Sequence, residues 1–305
     1  MQALFVNQLT TLDFSYLCPQ RGLVGETWLV DVVLGGELDQ QGMVFDFGHV
    51  KKQVKALLDS FSDHRLLVPL HAEVASITCN SPQNKEQLVV SFKTRQGMIT
   101  CSAPAQAVLL VEAEAITPEL LTPFLEEAIQ QELPSNVTTV ELRLYPEAIA
   151  GAYYHYSHGL KKHHGDCQRI AHGHRSQIRV FVDEQRDQAL EAWWASQWRD
   201  IYIATKEDLQ GSFTNDDVEH YRFSYTANQG YFEISLPCIN CYLIDTDSTV
   251  ELLARHIARC LAERKPGKTI RVVAFEGLNK GAIAMHSEPS ASVDKKPSAS
   301  VDRKP

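Results

Sequence analysis

The sequence has no apolar run approaching the ~20 residues needed to span a bilayer. Met1–Thr10 also lacks the basic start and apolar core of a secretory signal. Both absences lead to the expectation of a cytoplasmic protein with no membrane partner. No dense Lys/Arg block is present either: 29 basic residues stand against 38 acidic ones, for a net charge of -9. That balance argues against nucleic acid as a partner, because such binding rests on phosphate neutralisation. Cys238-Ile239-Asn240-Cys241 has no second CxxC to complete a zinc ribbon, so the pair reads as structural. The seven cysteines are odd in number and widely spread, and read as thiols in a reducing compartment and not as a disulfide frame. Asp46-Phe47-Gly48 lacks the glycine-rich and catalytic loops that would make it a kinase magnesium motif.

What is present suits a folded chain. Hydrophobic residues make up 44% and charged residues 22% of 305 positions, a length suited to two domains. Ser290–Pro297 and Ser298–Pro305 form a tandem octamer of small, charged and proline residues that cannot build a core. The division expected is a first unit over 1–148, a second over 149–286 and a disordered tail over 287–305.

In the first unit, Leu4–Leu17 and Thr27–Leu34 read as strands around a Cys18–Gly22 turn. Val50, Val54, Leu57, Leu58 and Phe61 share a helical face, and Gln87–Phe92 with Gly97–Ser102 suggests a hairpin. Thr117-Pro118-Glu119 opens a second helix, and Val137–Leu144 is a last strand. The second unit repeats the plan: strands at Ala152–Tyr156 and Gln177–Asp183, a helix over Gln188–Ile203, a short strand at Tyr231–Leu236, a helix after Asp247-Ser248-Thr249, and a strand over Thr269–Phe275. The order expected in each half is β-β-α-α-β-β, with Ile201–Tyr231 as an additional segment.

The chemistry concentrates between His158 and His174, which holds five of the twelve histidines. On a strand, His172 and His174 point to one face, and His158 on the preceding strand could complete a three-imidazole site. Zn²⁺ accepts such a set and keeps a fourth position for substrate. Cys167, with Lys161, Lys162, Arg169 and Arg175 nearby, suits a thiolate base or nucleophile. Asp63-His64 follows the first helix, where a carboxylate can orient an imidazole. Glu147 and Glu276 each end a strand, and a carboxylate can take two parallel hydrogen bonds from an N–C–N edge such as a pterin's. The tryptophans Trp193, Trp194 and Trp198 read as core.

Taken together, these residues resemble the 6-pyruvoyltetrahydropterin synthase / 6-carboxytetrahydropterin synthase family. The matching motifs are His158, Cys167 and His172-Gly173-His174, Gly42–Gly48, Asp63-His64, Ser248–Glu251 and Glu276, with Glu147 as the first-half counterpart of Glu276. The resemblance implies an α+β fold of two tandem T-fold (tunnelling-fold) units, each an antiparallel four-stranded sheet with two helices on one face. It also implies Zn²⁺ on His158, His172 and His174, catalysis by Cys167, His64 and Asp63, and substrate binding by Glu276, Glu147, Thr249 and Glu251. The implied reaction converts 7,8-dihydroneopterin triphosphate to 6-carboxy-5,6,7,8-tetrahydropterin, acetaldehyde and triphosphate, a lyase step feeding queuosine synthesis. Alternatives are 6-pyruvoyltetrahydropterin formation, a non-catalytic pterin-binding protein, and a neopterin aldolase-like enzyme, against which Cys167 counts. Between Cys167 and His172 stand four residues, where the carboxy-forming branch implies three and the pyruvoyl-forming branch five, so the product stays open.

The family resemblance also fails in a patterned way. The first half has Leu23–Thr27 where His-Gly-His would stand, and the second has Ser235–Cys241 where an Asp-His pair is sought. In the family, the Cys and the Asp-His pair come from neighbouring subunits. A fused pair with divided labour would keep one composite site per chain and fewer zinc ions than T-fold units. A homo-oligomer of two to four chains is expected.

Overall fold

The computed structural model describes residues 2–81 and 84–287, so the octamer tail lies outside the described residues. The first half runs β1 (Gln2–Cys18), β2 (Gly22–Gly36), α1 (Phe47–His49), a π turn (Val50–Val54), α2 (Lys55–Ser62), β3 (Leu66–Pro69), β4 (Ala75–Ser81), β5 (Asn84–Thr94), β6 (Gly97–Pro104), β7 (Val108–Val111), α3 (Pro118–Gln130) and β8 (Val137–Pro146). The second follows with β9 (Tyr153–His158), β10 (His172–Val182), β11 (Gln185–Arg186), α4 (Gln188–Gln197), β12 (Ile201–Thr205), β13 (Leu209–Asn215), β14 (Val218–Ala227), β15 (Gly230–Pro237), β16 (Cys241–Ile244), α5 (Val250–Arg264), β17 (Ile270–Phe275) and β18 (Gly281–His286). The duplication is thus carried element by element, with β11 and β18 as additions to the second copy.

Local chemistry accounts for the element ends. Thr117 Oγ1 accepts the Leu120 amide at the start of α3, where Pro118 fills a first-turn position that needs no donor. α4 stops at Gln197, short of the expected Ile203, because Asp200 adopts φ +53° and the β-branched residues after it join the sheet.

Each half differs from a four-stranded antiparallel sheet with two helices. The first sheet is five-stranded, in order β7-β3-β1-β2-β8, and β3 runs parallel to both β1 and β7. Its second-half counterpart has the order β16-β12-β9-β10-β17-β18, with β12 parallel to β9 and β16. The further difference is a three-stranded meander between the two helical segments of each copy. The additional segment of the second half supplies β12 to the main sheet and β13 and β14 to this meander. The meanders join edge to edge, β15 pairing β6 at Ile234↔Cys101, in a six-stranded sheet that spans both halves.

Three apolar cores follow. One lies under the first-half helices around Phe14, Leu58, Leu121 and Leu125, and one under the second-half helices around Tyr156, Trp194, Trp198 and Ile257. The third draws Phe92 and Ile99 together with Tyr202, Phe223 and Ile234 across the halves. Each wholly buried large side chain contributes about 1.5–3 kcal/mol, so this shared core and the joined sheet bind the copies into one body.

The copies approach closely where β2 crosses the β9–β10 pair. A Cβ on Gly25 would lie 1.8 Å from the Tyr156 carbonyl oxygen, and one on Gly173 would lie 2.6 Å from Gly25 Cα. Beside them, Ser15 Oγ donates to Ser157 Oγ at 2.7 Å. Ser15 pairs with Gly25, and Ser157 pairs with Gly173. These pairs define a local pseudo-twofold and the equivalence of positions in the two copies.

Candidate active site

His158 and His172 face one another across the β9–β10 ladder, and His174 lies two residues on along the same face. All three are buried, and one ring nitrogen from each lies within 4.8 Å of the others. Arg169's carbonyl accepts from His172 Nδ1 at 2.9 Å, which fixes the tautomer and leaves Nε2 bare. His158 Nδ1 is hydrogen-bonded to Ser248 Oγ at 2.9 Å, and among the described residues its buried Nε2 has no partner. Burial holds the pKa values of His158 and His172 well below the ordinary imidazole value, so both rings are neutral. Three buried imidazoles, one with an orphaned inward nitrogen, are the donor set a metal ion takes, and the residues fit the group.

Against this set lies a pair split between the halves. His64 and Cys167 have ligand atoms within 4.8 Å of each other and of His172. His64 is pinned at φ +54°, its amide donating to the Asp13 carbonyl at 2.6 Å and its Nδ1 to Asp63 Oδ2 at 2.7 Å. Burial pulls its pKa down, yet hydrogen bonds to Asp63 and Cys167 outweigh that and hold it up at about 10. A protonated imidazole cannot ligate a cation. The His158, His172 and His174 group is therefore the better metal candidate, and His64 and Cys167 stand beside it.

A cleft of about 200 Å³ opens over both groups, lined by His64, Cys167, His172, His174, Thr249, Glu251 and Glu276, among others. Thr249 and Glu251 enter it at the amino end of α5. Glu147 is not among the lining residues. Val30 pairs with Leu144 and its equivalent Ile178 with Ala274, so Glu276 corresponds in register to Pro146, and Glu147 falls one residue later. Arg175 Nη1 donates to the Glu147 carbonyl at 2.6 Å. The four basic residues expected to favour a Cys167 thiolate each engage another partner: Lys161 engages Asp208, Lys162 Asp247, Arg169 Asp166, and Arg175 the Tyr153 ring.

Reading motifs alone missed Asp13 and Lys280. Lys280 lines the cleft, and its Nζ lies 3.0 Å from Asp13 Oδ2. A carboxylate between Leu12 and Phe14 in a buried strand is the signal that could have found Asp13.

The pseudo-twofold places Tyr16, Val24 and Glu26 where the second half has its three imidazoles, and Arg199-Asp200 where the first half has Asp63-His64. The counterpart of that pair therefore directly follows α4 and is not Ser235–Cys241. In this second locus an arginine enters: Arg21 pairs with Asp200 through two hydrogen bonds of 3.0 and 2.5 Å and donates to Tyr16 Oη at 3.0 Å.

The family model for 6-pyruvoyl tetrahydropterin synthase matches the chain twice, over residues 18–156 and 149–287. The chain belongs to the 6-pyruvoyl tetrahydropterin synthase family. It is an enzyme of the lyase class. A Pyrococcus horikoshii protein provisionally named 6-carboxy-5,6,7,8-tetrahydropterin synthase is 28% identical over 138 residues, covering 45% of this chain and 76% of its own. A Pyrococcus abyssi protein of the same provisional name is 24% identical over 136 residues, with the same two coverages. Among solved structures, 6-pyruvoyltetrahydropterin synthase of Plasmodium vivax is 16% identical, with a TM-score of 0.38 over 49% of this chain and 93% of its own. The Plasmodium falciparum enzyme is 14% identical, with a TM-score of 0.37 over 47% and 90%. Family membership rests on the two sequence matches. Among the described residues, no helix is long and apolar enough to cross a membrane.

Proposed function

We propose that this chain is a zinc-dependent lyase that converts 7,8-dihydroneopterin triphosphate to 6-carboxy-5,6,7,8-tetrahydropterin, acetaldehyde and triphosphate, the step that supplies 7-deazapurine (queuosine) synthesis. The observation that carries the reading is the convergence of His64, Cys167, His172 and His174 on one cleft, from both halves of a single chain, with the buried His158 grouped with the last two. The provisional names of the Pyrococcus relatives support the carboxy product.

In this reading Glu276 accepts two parallel hydrogen bonds from the amino edge of the pterin, which places the side chain of the substrate over Cys167. His158, His172 and His174 hold the zinc ion, which when bound supplies Lewis-acid stabilisation of negative charge on the side-chain oxygens. Cys167 accepts a carbon-bound proton and His64, kept cationic by Asp63, stabilises the thiolate and donates to the departing group. The first-turn amides of α5, beside Thr249 and Glu251, offer unpaired donors to substrate oxygens. The test is mass spectrometry of the products after incubating zinc-loaded protein with 7,8-dihydroneopterin triphosphate. A 6-carboxy product with acetaldehyde is expected. A 6-pyruvoyl product would move the assignment to elimination without side-chain cleavage, and substrate returned intact would contradict a catalytic reading.

A further inference from the structure

We infer that Asp13, from the first half, is a positioning residue for the metal centre whose three imidazoles all come from the second half. The inference rests on the metal reading above. Asp13 is 2% exposed in β1, between Leu12 and Phe14, both at 0%. A carboxylate is costly to bury there unless its oxygens are occupied, and here they are. Oδ1 accepts from Thr27 Oγ1 at 2.6 Å and lies 3.2 Å from His174 Nδ1; Oδ2 accepts from Lys280 Nζ at 3.0 Å. Its backbone amide donates to Asp63 Oδ1 at 2.7 Å and its carbonyl accepts from the His64 amide at 2.6 Å, so the residue is clamped at both ends. Gly277 closes over it so tightly that a Cβ there would lie 2.7 Å from Oδ1.

A ligating imidazole must present one bare nitrogen to the ion, and a partner on its other nitrogen fixes the tautomer and raises its basicity. For His158 and His172 those partners are a serine hydroxyl and a backbone carbonyl, both neutral. His174 Nδ1 has no aligned hydrogen bond among the described residues, and Asp13 is the ion-pair neighbour within reach. At 3.2 Å and oblique, the contact needs only a small ring rotation to become a hydrogen bond, which ligation through the other nitrogen would favour. Asp13 is thus the charged outer partner of the set.

The pseudo-twofold supplies an internal control. The equivalents of Asp13 and His174 are His155 and Glu26, and His155 Nδ1 lies 3.7 Å from Glu26 Oε2. The acid–imidazole contact recurs there with its partners exchanged. Tyr16 and Val24 accompany it, so no three-imidazole set faces it. A merely structural contact between the strand pairs would respond alike at both places, whereas a metal-positioning one would not.

The experiment measures zinc dissociation constants of the full chain by competition with a chromophoric chelator, without substrate, for wild type, Asp13→Asn and Glu26→Gln. Asp13→Asn is expected to weaken zinc binding about 10–100-fold, while Glu26→Gln leaves it unchanged. Equal affinity in Asp13→Asn and wild type would overturn the inference alone, as would an equal loss in Glu26→Gln. A wild-type chain that takes up no zinc would instead overturn the metal reading, and this inference with it. Should Asp13→Asn fail to fold, Thr27→Val removes the hydroxyl that holds Oδ1; it is expected to weaken zinc binding several-fold, and unchanged affinity would again overturn the inference.

Discussion

His64 and Cys167 come from different halves, yet they share a cleft wall with His172, and their surroundings divide the work between them and the imidazoles. His158, His172 and His174 are buried with ring nitrogens close enough to share an ion, whereas His64 is tied to Asp63, which holds its pKa up. Cys167→Ala should therefore retain zinc and lose turnover by at least about 10²-fold, the scale of a general base. His172→Ala should lose both. Metal content by elemental analysis, read beside turnover, checks the pair, and full turnover in Cys167→Ala would remove the proposed base. The imidazole set was legible in the sequence because a two-residue spacing on a strand fixes a shared face locally. Asp13 and Lys280 were not, because their meaning depends on a strand crossing that brings the two halves together.

At the scale of elements, the two main helices and the long strands of each copy could be read from periodicity, and the β5–β6 hairpin from its turn. The meander of the second copy was harder to see, since β13 is rich in polar residues, and the short parallel strands β12 and β16 of the neighbouring sheet give no alternation to read either. Glu147 shows a related limit: a strand-end motif looks repeated, while the ladders offset it by one residue from Glu276. The crossing of β2 against β10 has a cost of its own. It drives Glu26, next to Gly25, into the interior, where burial raises its pKa to about 7 despite the Thr27 amide and Arg175. A buried acid raised in this way binds its proton more tightly folded than unfolded. Its contribution to stability is therefore largest below the unfolded value of about 4.5, and is lost as pH rises toward 7. Glu26→Gln should gain stability relative to wild type between pH 5 and pH 8, by at most about 3 kcal/mol. Thermal melts at several pH values measure this, and a difference that does not grow with pH would contradict it.

For the whole molecule, duplication left two pseudo-equivalent loci between the halves, and they have diverged in opposite directions. One gathers three imidazoles, Cys167, Asp63-His64 and Glu276. At the other, Arg21 pairs with Asp200 and Tyr16 where the first locus has its histidines. The joined meanders and the close Gly25–Gly173 approach hold the halves in the register that the first locus needs. In the proposed function, one chain by itself assembles a complete site, with the proton relay from its first half and the metal ligands from its second. The most direct measurement co-expresses His64→Ala and His172→Ala chains under different tags, isolates any mixed assembly, and assays its turnover. Within-chain assembly predicts no activity above that of either variant alone, because every site then lacks one of the two residues. Recovery of a substantial fraction of wild-type turnover would show that complete sites form between chains, and would contradict the account.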